Sequence, residues 1–142
     1  MTEPKVTPKL KPEVKKLWTD ALVSGEFEQG QGRLCNEVEG VRSFCCYGVL
    51  CELYRRATGD GEWKVDHSKV VTFRSNPEAE YGMIGLPPEV VIGWAFDAPN
   101  ISMVVHNAVV EIDGIVARLH NHNDANNKKS FAELSAAIKE QL

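Results

Sequence analysis

The sequence predicts a single compact α+β domain, with about four helices around a Cys-rich core helix and a small antiparallel sheet or hairpins between them. Three observations predict it. The run Ser43-Phe44-Cys45-Cys46-Tyr47-Gly48-Val49-Leu50-Cys51-Glu52-Leu53-Tyr54 is the densest apolar stretch, carries no charge until Glu52, and holds three of the four cysteines. Small thiols and branched side chains together suit a helix buried on most sides. Two amphipathic segments flank it at the ends of the chain, and short β-prone runs bounded by turn residues fill the intervals.

The first helix opens at Pro12. Proline suits a first helical position and Glu13 suits the positive end of the helix dipole. Val14, Leu17, Trp18, Ala21 and Leu22 recur at the spacing of one face, and Ser24-Gly25 stops the helix. Residues 1–11 mix proline, lysine and threonine without periodicity and read as a flexible tail, which leaves 12–142 as the domain. Glu26 to Gly32 reads as an ordered surface loop packed against the next hairpin. That hairpin spans Arg33 to Phe44, with Gly40 supplying a positive φ at its turn.

The core helix is expected from about Cys45 to Ala57, with Ser43 either closing the hairpin strand or capping the helix, and Thr58-Gly59-Asp60-Gly61 ending it. Its inward stripe is Cys46, Leu50, Leu53, Tyr54 and Ala57, with Val49 on a flank and Glu52, Arg55 and Arg56 toward water. Between Glu62 and Gly85 the pattern predicts one short strand and an excursion. Leu86 to Phe96 reads as a short helix started by prolines, with Val90, Val91, Trp94 and Ala95 facing inward. Met103-Val104-Val105 and Ala108 to Ile112 suggest a strand pair, and Ile115 to Leu119 is helix or strand by pattern alone. His120 to Lys129 is polar and reads as a loop. Ser130-Phe131-Ala132-Glu133 is a capping box that opens a last helix, with Phe131, Leu134, Ala137, Ile138 and Leu142 on one face.

Composition narrows the function classes. A formal charge of −4 gives no general attraction to nucleic acid, and the one lysine cluster, Lys5, Lys9, Lys11, Lys15 and Lys16, fits a solvated tail. No apolar run approaches the ~20 residues a membrane span requires, and Met1-Thr2-Glu3-Pro4-Lys5 lacks the apolar segment of a signal peptide, so a cytoplasmic location is expected. In a reducing compartment the cysteines are expected as free thiols packed as small hydrophobes.

Trp18, Ala21-Leu22, Ser24-Gly25-Glu26, Gln29-Gly30-Gln31-Gly32 and Leu34, followed by Phe44-Cys45-Cys46-Tyr47-Gly48-Val49-Leu50-Cys51-Glu52-Leu53, resemble a group of small uncharacterised accessory proteins encoded by tailed bacteriophages. Leu86-Pro87, Val90, Trp94-Ala95, Ala117, Leu119, Asn123-Asp124, Ser130-Phe131-Ala132-Glu133 and Ile138 extend the likeness, and the doubled cysteine before Gly-Val-Leu-Cys is its most specific mark. The resemblance implies origin rather than activity. By analogy with small phage accessory proteins, which commonly bind a host protein or sequester a small molecule, the resemblance implies one of these roles.

Three chemistries are weighed from the residues. A non-enzymatic protein-binding role would use aromatic anchors, for which Trp63, Tyr81 and Met83 are the candidates. A papain-like cysteine hydrolase would use Cys45 or Cys46 as nucleophile with His106, oriented by Asn121, Asn123 or Glu111. A nucleotide sponge would use backbone amides of the Glu26 to Gly32 loop, which lacks a P-loop lysine. His120, His122 and Asp124 share one side of the chain if extended, a possible start to a metal site, although Asn and Asp before a helix more often serve turns and caps. The cysteines lack paired CxxC spacing. The preferred expectation is a binding protein without metal or cofactor.

Overall fold

The computed structural model describes residues 9–65, 70–75, 87–97, 108–112, 115–123 and 129–142. Helix α1 (Pro12–Val23) begins with proline inside its first turn and Glu13 beside it. Val14, Trp18, Ala21 and Leu22 are buried on its inner face, whereas Leu17, expected with them, is 46% exposed. Ser24 accepts the role of C-cap and Gly25 follows with φ 81°.

Helix α2 (Cys46–Thr58) is the structural centre, and every residue from Cys46 to Tyr54 is buried. Cys45 is its N-cap, with Sγ accepting from the Gly48 N–H at 3.4 Å. Gly59 ends the helix in the left-handed region at φ 75°. The Trp18 indole donates to the Cys46 carbonyl at 2.9 Å, which joins α1 to the first turn of α2. Gly48 is where the backbone of the preceding segment presses closest. A Cβ there would lie 1.8 Å from the Leu34 carbonyl oxygen, so only glycine lets α2 pack against Leu34. Two expectations for α2 are corrected. Ala57 is exposed, because the last turn extends beyond the core, and Glu52 is buried rather than facing water.

Strands β3 (Cys35–Val38) and β4 (Val41–Phe44) form the expected hairpin. Its turn uses positive φ at both Glu39 (52°) and Gly40 (80°), the combination whose twist suits a two-residue connection. Strand β2 (Glu28–Gln29) adds in parallel to β4, giving the order β2-β4-β3, so the glycine loop does pack on the hairpin. Strands β5 (Glu62–Val65) and β6 (Val71–Arg74) pair antiparallel where one strand was expected.

Helix α3 (Glu89–Ala95) has Pro88 as its N-cap. It buries Val91, Ile92 and Ala95, while Val90 is exposed and Trp94 is partly covered against Tyr54, so its inner face is turned from the expected one. Strand β7 (Phe96–Asp97) follows at once and pairs with β1 (Lys9–Leu10). Lys9 to Lys11, expected in the tail, therefore belong to the fold. Leu10 is buried, and the Lys11 N–H donates to the Ala95 carbonyl at 2.8 Å.

Strands β8 (Val109–Ile112) and β9 (Ile115–Arg118) pair antiparallel, so Ile115 to Arg118 is strand. The partner expected for β8, Met103-Val104-Val105, lies outside the described residues. Helix α4 (Leu119–Asn123) replaces the start of the expected polar loop. Helix α5 (Phe131–Gln141) opens with the predicted capping box, Ser130 and Glu133 bonding reciprocally. Phe131, Leu134, Ala137, Ile138 and Leu142 are all buried. α5 lies along α1, where the Ser135 hydroxyl donates to the Thr19 carbonyl at 2.9 Å. The elements share one hydrophobic core, and the architecture is α+β.

Candidate functional site: a groove organised by Glu52

A groove of about 500 Å³ opens between the Glu26-Phe27 loop, β4, the last turns of α2 and the start of β5. Phe27, Phe44 and Trp63 supply its aromatic wall, and Arg42, Arg55 and Arg56 its cations. Local sequence places these groups. Arg55 and Arg56 follow Glu52 by three and four positions, the spacings that meet on a helix surface. The Thr58 to Gly61 turn then reverses the chain and brings Trp63 back over α2.

Glu52 is the hub. Its Oε1 accepts from Arg55 Nε at 2.7 Å and Trp63 Nε1 at 3.0 Å; its Oε2 accepts from Arg55 Nη2 at 2.8 Å and Arg56 Nε at 2.9 Å. Four donors fill the roughly four acceptor sites of an ionised carboxylate. Burial alone would raise its pKa, but the hydrogen bonds from Arg55, Trp63 and Arg56 outweigh that and hold it at about 2. A carboxylate this saturated is a poor base. Its role is to fix three neighbours at the groove wall.

Those neighbours are braced further. Arg56 also pairs with Glu26, and its guanidinium sits 5.3 Å from the centroid of Phe27. Phe27 meets Phe44 edge-on at 5.4 Å, Phe44 meets Trp63 at 5.5 Å, and Trp63 meets Phe73 at 4.8 Å. Tilted contacts at these separations are the favoured geometry for aromatic pairs. Gly61 leaves room beneath them, since a Cβ there would come 2.5 Å from the Phe73 ring. Arg42 stands directly across the hairpin from Glu37 and donates Nε to it at 3.0 Å.

The other sequence candidates that fall among the described residues do not line this groove. Cys45 is 3% exposed and Cys46 wholly buried, so neither thiol faces solvent. Burial also pushes the Cys35 thiol up to about 11 and the Cys51 thiol well above its ordinary value. His106, Tyr81, Met83 and Asp124 lie outside the described residues. Asn123 is buried, with Nδ2 donating to the Gly30 carbonyl at 2.8 Å and Oδ1 accepting from Gln29. Glu111 is exposed on β8, its backbone bonded to the Gln141 side chain, and Asn121 is exposed on α4.

His120 and His122 lie in α4 and not in an extended segment. His122 is buried, its Nε2–H donating to the Val110 carbonyl at 2.8 Å. Among the described residues no cluster of three or more His, Cys, Asp or Glu side chains is placed to hold a metal. In the glycine loop, the Gly30 N–H is spent on the Phe44 carbonyl at 2.7 Å.

Sequence reasoning put Trp63 forward and missed Glu52, Arg55 and Arg56 as its companions. The Glu52-x-x-Arg55-Arg56 spacing was the available signal, and it was masked by the expectation that charged residues on a core helix point to water.

Fold and site together describe a small α+β domain with an open arginine and aromatic groove and a thiol-rich interior. The chain belongs to the family described as Domain of unknown function (DUF8296), whose profile matches residues 10–142. No curated protein and no solved structure matches it. Among the described residues no helix is long and apolar enough to cross a membrane.

Proposed function

We propose that this chain is a non-enzymatic binding protein that engages a protein partner through the Glu52 groove. In the bacteriophage setting suggested by the Cys45-Cys46-Tyr47-Gly48-Val49-Leu50-Cys51 resemblance, the partner is a host protein met in the host cytoplasm. One observation carries the reading: a fully satisfied carboxylate holds Arg55, Arg56 and Trp63 in fixed positions on an open surface. Tryptophan and arginine are the side chains that most often dominate protein interfaces, and fixing them beforehand lowers the entropy lost on binding.

The two alternatives find less support. Catalysis by Cys45 or Cys46 needs a thiol that substrate can reach, and both are buried. A nucleotide held by the glycine loop needs unspent amides, and Gly30 N–H already completes the sheet.

The test is affinity capture from host lysate with the intact chain, beside Trp63→Ala and Arg55→Ala variants checked for native circular dichroism. A protein retained by the parent chain and lost with either variant is the expected result. Identical capture profiles for all three would refute use of the groove.

A further inference from the structure

Resting on that reading, we infer that the groove recognises an acidic segment of its partner, seating a side-chain carboxylate on the arginines and an adjacent apolar side chain against Trp63 and Phe44. Both Glu52 oxygens are saturated, and Glu26 and Glu37 each already accept from an arginine. The guanidiniums are not saturated. Each carries five N–H donors; among the described residues Arg42 spends Nε alone, Arg55 spends Nε and Nη2, and Arg56 spends Nε and Nη2.

These side chains are 39%, 41% and 45% exposed, so the remaining donors are available to a ligand. The last acidic side chain of the lining, Glu62, is turned to Lys64 at 3.2 Å and is largely exposed. Beside the acceptor sites left on Glu26 and Glu62, the groove offers a larger number of unspent guanidinium N–H donors, which favours an oxyanion.

Charge selects among oxyanions. Arg42, Arg55 and Arg56 are matched in the lining by Glu26, Glu52 and Glu62, so the groove has no net charge with which to balance a phosphate carrying nearly two negative charges. A carboxylate brings one charge and matches the planar guanidinium fork. Trp63 and Phe44 are partly exposed beside the arginines and provide the apolar seat.

The experiment uses the full chain labelled with 15N, following the Trp63 Nε1–H and arginine Nε–H signals. Three probes are titrated: a blocked hexapeptide alternating glutamate with phenylalanine, the same peptide with glutamine for glutamate, and AMP. Saturable shifts at Trp63 and Arg55 with the glutamate peptide, at least tenfold weaker with the glutamine peptide and with AMP, are expected. Arg42→Gln, an exposed strand substitution, should weaken the glutamate peptide several-fold.

Equal binding of the two peptides, a preference for AMP, or no shift with any probe would overturn the carboxylate assignment. If lysate capture nevertheless depends on Trp63, the groove reading stands and only the acidic segment falls; if capture is indifferent to Trp63, the groove reading itself has failed.

Discussion

Replacing Glu52 by glutamine tests the organisation of the groove at its hub. Each Glu52 oxygen accepts two donors, so wherever the new NH2 group points it meets two N–H groups instead of satisfying them. Two of four charge-assisted bonds are lost, each worth about 1.5–3 kcal/mol when shielded. The arginine ends are more than a third exposed, and solvent screening reduces the net cost to about 2–3 kcal/mol. For a domain of this size that lowers Tm by about 5–12 °C.

The pH dependence supplies a second signature. Glu52 is held at about 2 against an ordinary 4.5, so its folded pKa lies below its unfolded one. The stability it contributes is whole above pH 4.5 and is lost as pH falls toward 2, with more than half gone by about pH 3. Thermal unfolding of parent and Glu52→Gln between pH 7 and pH 3 should therefore show a gap that narrows on acidification. A variant melting within about 1 °C of the parent at pH 7, or a gap constant down to pH 3, would refute the assignment of Glu52 as the hub.

Two further outcomes follow from the packing. Gly48→Ala places a methyl 1.8 Å from the Leu34 carbonyl oxygen and must push α2 off that segment; a loss of more than about 3 kcal/mol is expected in urea unfolding, and a near-native midpoint would show the approach to be looser than described. Gln29→Ala removes the side chain that donates to the Lys129 carbonyl at 2.6 Å and accepts from the Phe131 N–H at 3.1 Å, so hydrogen exchange at Phe131 should accelerate while α1 amides stay protected. Unchanged exchange at Phe131 would count against this clamp.

Much of the fold was legible because its signals are local. The Ser130/Glu133 capping box, proline at the head of α1 and the Glu39-Gly40 turn each act within four residues and were readable in order. What escaped the sequence depends on partners distant in the chain. Leu10 pairs with Phe96, and Gln29 reaches Asn123, contacts to which no periodicity points. Leu17 and Val90 lie on apolar stripes yet face outward, because pattern fixes the period of a helix but not the angle at which it docks.

The site was legible in part. Trp63 could be singled out as an aromatic in an irregular region, but Glu52 was assigned to water because nothing in the linear chain shows that a β-hairpin folds back over it. Gln29 and Asn123 prove to tie the glycine loop to the C-terminal elements.

With the proposed function at the groove, the thiols are interior packing. Iodoacetamide labelling of the native chain at neutral pH tests that division most directly. Cys35, Cys45, Cys46 and Cys51 are all buried, so labelling should be slow and become complete only in denaturant. Rapid modification of Cys45 or Cys46 in the folded protein would contradict it and return the functional centre to the start of α2.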